Sequence, residues 1–169
     1  MATPEFVSEL RALVGTRPLW LSCAIAVVLD ADGSRVLLGR RADNGQWALV
    51  GGIIDPGEQP ADAVVRECFE ETGVVAEPEA LTSVTVSGPV VYPNGDRTQY
   101  LELTFRCRAV GGEARVNDDE STEVRWFGLR DLPDLDEANR RRLALALDPQ
   151  AVTAYDFSGL ASVLGDGAR

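Results

Sequence analysis

Glu67, Glu70 and Glu71 are the residues of this chain best placed to do chemistry together. On a helix, positions i, i+3 and i+4 are surface neighbours, so the three carboxylates share about one quadrant. Like charges one turn apart cost a helix roughly 0.2–0.5 kcal/mol per pair. Arg66, four residues before Glu70, can pair with it, but one guanidinium cannot neutralise three acids. A hard divalent cation can. Mg²⁺ takes an octahedral shell of oxygens and keeps several waters, so two or three carboxylates and a substrate phosphate complete it. Ala63, small and one turn earlier, leaves room for such an ion. Taken alone, the triplet reads equally as a solvated acidic face, which is what a charge run usually means.

The elements that must hold these acids are punctuated clearly. Gly57 permits a tight turn, Gln59 stands at the N-cap, Pro60 at N1 and Asp62 at N3, and Gly73 ends the element, giving a helix from Pro60 to Thr72. Its opposite side carries Ala61, Val65, Cys68, Phe69 and Thr72, with Val64 at the edge, a stripe suited to packing on a sheet. Upstream, Leu21 to Leu29 reads as a central strand, and Asp32-Gly33 as a hairpin turn into a second strand, Arg35 to Arg41. Gln46 to Val50 is a short strand that delivers the chain to Gly51-Gly52. Arg40 and Arg41 end their strand on opposite faces, so at most one of them reaches a substrate phosphate. Trp47 is a candidate substrate contact, with core as the commoner role.

Short strands follow at Val74 to Ala76 and Leu81 to Ser87, then a turn at Asn94-Gly95 into a long strand, Arg97 to Val110. Tyr92 and Tyr100 flank that turn as candidate stacking surfaces for a nucleobase. An acidic loop, Asn117 to Glu123, feeds a last strand, Val124 to Gly128; Leu129 to Asp134 reads as a helical turn, and Asp136 to Leu147 as a helix using Ala138, Leu143, Ala144 and Leu147. At the start of the chain, Pro4 to Val14 is an amphipathic helix whose apolar face packs on the domain or, alternatively, forms a homodimer interface. The tail beyond Pro149, with Gly159, Gly165 and Gly167, reads as loosely held.

The 169 residues suffice for one domain. Cys23, Cys68 and Cys107 are odd in number, widely spaced and set in apolar patterns, which argues for reduced thiols, a cytoplasmic setting and no zinc site. Histidine is absent, and every basic residue is arginine, so histidine bases, Ser-His-Asp triads and lysine nucleophiles are excluded. The formal charge of −11 speaks against nucleic acid or an anionic membrane as main partner. No apolar run is long enough to span a bilayer, and no signal peptide is apparent.

Read as a whole, Gly52, five residues, Glu58, seven residues, then Arg66-Glu67-Cys68-Phe69-Glu70-Glu71-Thr72-Gly73-Val74 closely resembles the signature of the Nudix hydrolases, MutT-like pyrophosphohydrolases. Cys68 stands where that family usually has an aliphatic residue, and Val50 where many relatives have proline. The resemblance covers Leu21 to Leu147. It implies an α/β/α sandwich, an α+β fold with a mixed sheet between helices. It also implies Mg²⁺- or Mn²⁺-dependent hydrolysis of a nucleoside diphosphate linked to another group, such as an NTP, ADP-ribose or a sugar nucleotide. By the same resemblance Glu67 and Glu71 bind metal, Glu70 binds or supports it, and the Gly51 carbonyl adds a ligand. Arg66 orients the acids, while Glu58 acts behind them or on the loop's geometry. The rival reading is a weakly catalytic module that senses a nucleotide metabolite. Such relatives usually lack a motif acid, and none is missing here.

Water attacking a phosphoanhydride benefits from a further base or metal ligand, and without histidine that group is a carboxylate. In the resembled family it commonly lies on a loop before a late strand bearing Trp or a similar residue, a place matched by Asp118 to Glu123 before Trp126-Phe127. Glu120, at the loop centre, is the favoured acid, and Glu123, bordering the strand, is the alternative. Clustered acids that must be ionised to hold a cation call for neutral to alkaline pH.

Overall fold

A computed structural model describes residues 3–148, 152–159 and 162–163. Its elements are α1 (Glu5–Val14), β1 (Leu19–Leu29), β2 (Arg35–Arg41), β3 (Trp47–Ala48), β4 (Val50–Ile53), α2 (Pro60–Thr72), β5 (Val74–Val86), β6 (Val90–Val91), β7 (Arg97–Gly112), β8 (Ser121–Gly128), α3 (Glu137–Leu147) and β9 (Ala154–Tyr155). The strands form one mixed sheet with the path β3-β2-β1-β7-β5-β9, in which β4 pairs with β1, β6 with β7 and β8 with β2. β1 runs parallel to β7 and β5 parallel to β9, and the other pairings are antiparallel.

The period-2 alternation of β1 sorts the core into layers. Ala24, Ala26 and Val28 face one side with Val64 and Cys68 of α2, while Val27 faces the other with Leu143 and Ala146 of α3. Helices thus lie on both faces of a mixed sheet. α1 also packs on the sheet: Val7 is buried in a cluster with Leu21 and Ile53, against which Phe6, Leu19 and Tyr100 are packed. Arg11 fastens its C-terminal end by donating to the Arg97 carbonyl (2.7 Å) and Thr98 Oγ1 (3.0 Å).

Several sequence expectations are corrected. The two short strands expected after α2 are one strand, β5, because Pro78 falls at an irregularity in the β5–β7 pairing where its missing N–H breaks little. β8 begins at Ser121, so Glu123 lies in the strand. Leu129 to Asp134 forms a turn and irregular chain without a helix. On α3 the buried residues are Asn139, Leu143 and Ala146. The tail supplies β9 and an ion pair between Asp156 and Arg141; Gly165 and Gly167 lie outside the described residues.

Candidate active site

α2 spans Pro60–Thr72 and is closed by Gly73 in the left-handed region (φ 70°), whose N–H donates to the Phe69 carbonyl at 2.9 Å. Its rotation differs from the sequence reading. The buried positions are Ala63, Val64, Cys68, Glu71 and Thr72, whereas Phe69 is 46% exposed. The acids therefore do not form a solvated face. Glu71 is only 8% exposed and Glu67 is largely covered, while Glu70 alone stands mainly in solvent.

Burial of Glu67 depends on Gly52. A Cβ built there would collide with the Glu67 carboxylate, and one at Gly51 would meet the Ala24 carbonyl and lie 2.8 Å from Ile25 Cα. Two glycines thus let the floor of the site approach both the helix and β1. Arg66 holds the rim. Its Nε and Nη2 donate to the two Glu58 oxygens, each at 2.8 Å, Nη1 to Glu67 Oε1 (2.8 Å) and Glu70 Oε2 (3.1 Å), and Nη2 to the Ile53 carbonyl (3.2 Å). Glu58 also accepts from Asp55 N–H at 3.1 Å, fixing the loop ahead of α2, and the Arg66 guanidinium holds its carboxyl below the usual range.

The electrostatics of the buried acids run the other way. Burial, followed by the charges of Glu120 and Glu67, pushes Glu71 up to about 8, against a hydrogen bond from Gly51 N–H at 3.2 Å. Burial likewise raises Glu67, with Glu120 and Glu70 adding to it and Arg66 opposing it. Glu120 therefore acts on both acids. Its backbone is moored from across the cleft: the Glu120 carbonyl accepts from Ala42 N–H (2.8 Å), just beyond β2, and its N–H donates to Asp118 Oδ1 (2.9 Å). A cleft of about 500 Å³ is lined by Arg66, Glu67, Phe69, Glu70, Asp118 and Glu120, among others.

Among the described residues, no three Asp, Glu or Cys side chains are already gathered into a metal cage. Glu67 turns to Arg66, and Glu71 to Gly51 N–H. The donor set nonetheless suits a hard divalent cation, being all carboxylate oxygen, and burial followed by neighbouring acidic charge raises both Glu67 and Glu71, a cost that a bound cation would offset.

The remaining sequence candidates divide. Arg41 is held by Asp43 through bonds of 2.9 and 2.5 Å, with Tyr92 and Glu71 within reach of its charge, whereas Arg40 donates back to the Gly45 carbonyl (3.0 Å). Of the two, Arg41 is the one near the acids. Trp47 is a core residue, edge-on to Phe127 (centroids 4.8 Å apart) in the cluster on the α3 face, away from α2. Tyr100 packs with Val7 and Leu21 beneath α1 and shares a 2.7 Å hydroxyl bond with Tyr92, so its ring offers no free stacking face beside the acids. Glu123 pairs with Arg125 at 2.9 Å and stands opposite Arg40 in the β2–β8 ladder.

Sequence reasoning missed Asn117, which bonds to the last turn of α2 through both its backbone and its side chain. The available signal was the need of that turn's unpaired carbonyls for donors. It also missed Phe69, a cleft wall read as core because its type is apolar.

Residues 20–147 match the NUDIX domain. A MutT-like protein of Streptomyces ambofaciens is 40% identical over 66% of this chain and 67% of its own length. An ADP-ribose pyrophosphatase of Methanocaldococcus jannaschii is 36% identical over 69% of each chain. The crystal structure of an ADP-ribose pyrophosphatase from Streptococcus suis superposes with a TM-score of 0.62 at 26% identity, covering 80% of this chain and 98% of the other.

Proposed function

The chain belongs to the NUDIX family as one of its pyrophosphohydrolases, and from that premise we propose that it hydrolyses the phosphoanhydride of a nucleoside diphosphate linked to another group, with a divalent cation. The observation that carries this reading is the burial of Glu67 and Glu71 beside a glycine floor, where burial and the nearby charge of Glu120 disfavour the ionisation of both. Glu67, Glu71, Glu120 and the Gly51 carbonyl would hold Mg²⁺ or Mn²⁺, with Glu70 at the rim. Bound there, such an ion would offset charge on the phosphate oxygens and lower the pKa of the attacking water.

The chain's own groups do the rest. Glu120, which lines the cleft with Glu67 and whose charge acts on both buried acids, accepts the proton of the attacking water at its carboxylate. Arg66 keeps Glu58, Glu67 and Glu70 in register, and Arg41 binds a substrate phosphate oxygen, exchanging Asp43 for it. Three free thiols, two of them buried, fit a reducing compartment, and we place the protein in the cytoplasm on that ground. One domain, with α1 as an added brace, is the unit we propose to act.

The test is release of phosphate or a nucleoside monophosphate from ADP-ribose, dNTPs, sugar nucleotides, dinucleoside polyphosphates and CDP-alcohols, with Mg²⁺ and with EDTA. ADP-ribose leads the panel because two relatives are named for it. Metal-dependent turnover of at least one anhydride is expected, and binding without turnover across the whole panel would refute the reading.

A further inference from the structure

The segment that carries Glu120 leaves β7 and crosses the C-terminal end of α2 before it reaches β8. A helix leaves its last carbonyls without intrahelical partners, and here the loop supplies them. Arg115 N–H donates to the Thr72 carbonyl (2.9 Å) and Asn117 N–H to the Glu71 carbonyl (3.2 Å). The Asn117 side chain adds two more bonds. Its Nδ2 donates to the Phe69 carbonyl (3.0 Å), and its Oδ1 accepts from Arg115 Nε (3.2 Å). Three residues on, the Glu120 carbonyl is pinned by Ala42 N–H (2.8 Å). The stretch between is thus fastened at both ends: to the element bearing Glu67 and Glu71, and to the chain just past β2.

We propose that Asn117 is a positioning residue, which fastens the acid-bearing loop to the last turn of α2 and so fixes Glu120 opposite Glu67 and Glu71. The chemistry of the side chain explains why asparagine serves. It presents a donor and an acceptor on one short planar amide. Aspartate would turn an acceptor toward the Phe69 carbonyl, and serine would be too short to bridge Phe69 and Arg115. Asn117 itself is exposed, so its bonds contribute to where the loop sits more than to global stability.

This inference rests on the reading that Glu120 works in the reaction, and a double-mutant cycle separates the two. Steady-state kinetics on the best substrate of the panel would be measured for wild type, Asn117→Ala, Glu120→Gln and the double variant, with Asn117→Leu as a shape-preserving control. Hydrogen exchange of the cation-free proteins reads the loop without turnover. Asn117→Ala and Asn117→Leu should each lower kcat about tenfold with KM changed less than about twofold. They should speed exchange at residues 115–120 about tenfold while leaving the first turns of α2 and the melting temperature unchanged. On top of Glu120→Gln, Asn117→Ala should cost less than about twofold more, because it acts through that acid. Silent Asn117 variants beside an impaired Glu120→Gln would overturn the positioning role while sparing the Glu120 assignment. Impaired Asn117 variants beside a silent Glu120→Gln, or fully additive losses, would overturn it by showing that Asn117 acts on something else.

Discussion

Replacing Glu71 with glutamine in the cation-free protein should stabilise it increasingly as pH rises. The Glu71 carboxyl sits at about 8 rather than 4.5, first because it is buried and then because Glu120 and Glu67 are near. For an acid whose pKa is raised by folding, the folded state is favoured fully below the unfolded value, and that advantage is lost as pH climbs through the folded one. Each factor of ten in the ionisation constant is worth about 1.4 kcal/mol, so ionising Glu71 should cost the folded protein about 3 kcal/mol between about pH 5.5 and about pH 8.5. Glutamine keeps the shape and carries no charge, so the variant escapes that cost. Urea unfolding of both proteins in EDTA across this range measures it directly. The stability difference should widen by about 3 kcal/mol in favour of the variant, and saturating Mg²⁺ should narrow it at the alkaline end by binding the ionised wild-type site. If the two curves run parallel within about 0.5 kcal/mol, Glu71 is not the strained acid inferred here.

Three further outcomes follow from the same geometry. Glu120→Gln should lower kcat about 10²-fold with little change in melting temperature, and Glu123→Gln, whose partner is Arg125, less than about tenfold; the reverse order in kinetics would transfer the role to Glu123. Gly52→Ala places a methyl in the space of the Glu67 carboxylate, so activity should fall about 10²-fold or more, and a near-normal rate would show that Glu67 can work from elsewhere. Arg66→Lys keeps the charge but cannot span both Glu58 oxygens, Glu67 and the Ile53 carbonyl, so kcat should drop at least about tenfold, and a lysine variant at wild-type rate would reduce Arg66 to a point charge.

The bounds of α2 were legible because glycine and proline punctuate both ends, and the mixed sheet between helices followed from the family resemblance together with the strand pattern. The rotation of α2 was not. Hydrophobicity assigns Phe69 inward and Glu71 outward, yet the glycine floor and the Gly51 N–H draw Glu71 in, and neither is visible in the helix's own pattern. The choice between Arg40 and Arg41 turns on a break in the β2–β8 register between those two residues, which alternation alone cannot foresee. Tyr100 looked available because the long strand was legible while its cover was not: α1 lies over it across some ninety residues of sequence. Pro78 misled in the opposite direction, since a proline that ends most strands was absorbed at an irregularity.

β9 is only two residues long, but it occupies part of the outer edge of β5, aligning Ala154 with Ser83 and Tyr155 with Val84. Thr153 donates to the Leu81 carbonyl at 2.9 Å, and Asp156 clasps Arg141 of α3. An uncovered strand edge is a template on which another chain can pair, and proteins guard such edges with short strands and charge. Residues 153–156 therefore guard this part of the β5 edge. Removing residues 149–169 should leave turnover per folded molecule nearly unchanged while promoting concentration-dependent self-association, visible by light scattering; a truncated protein that stays monodisperse would deny the tail this protective part.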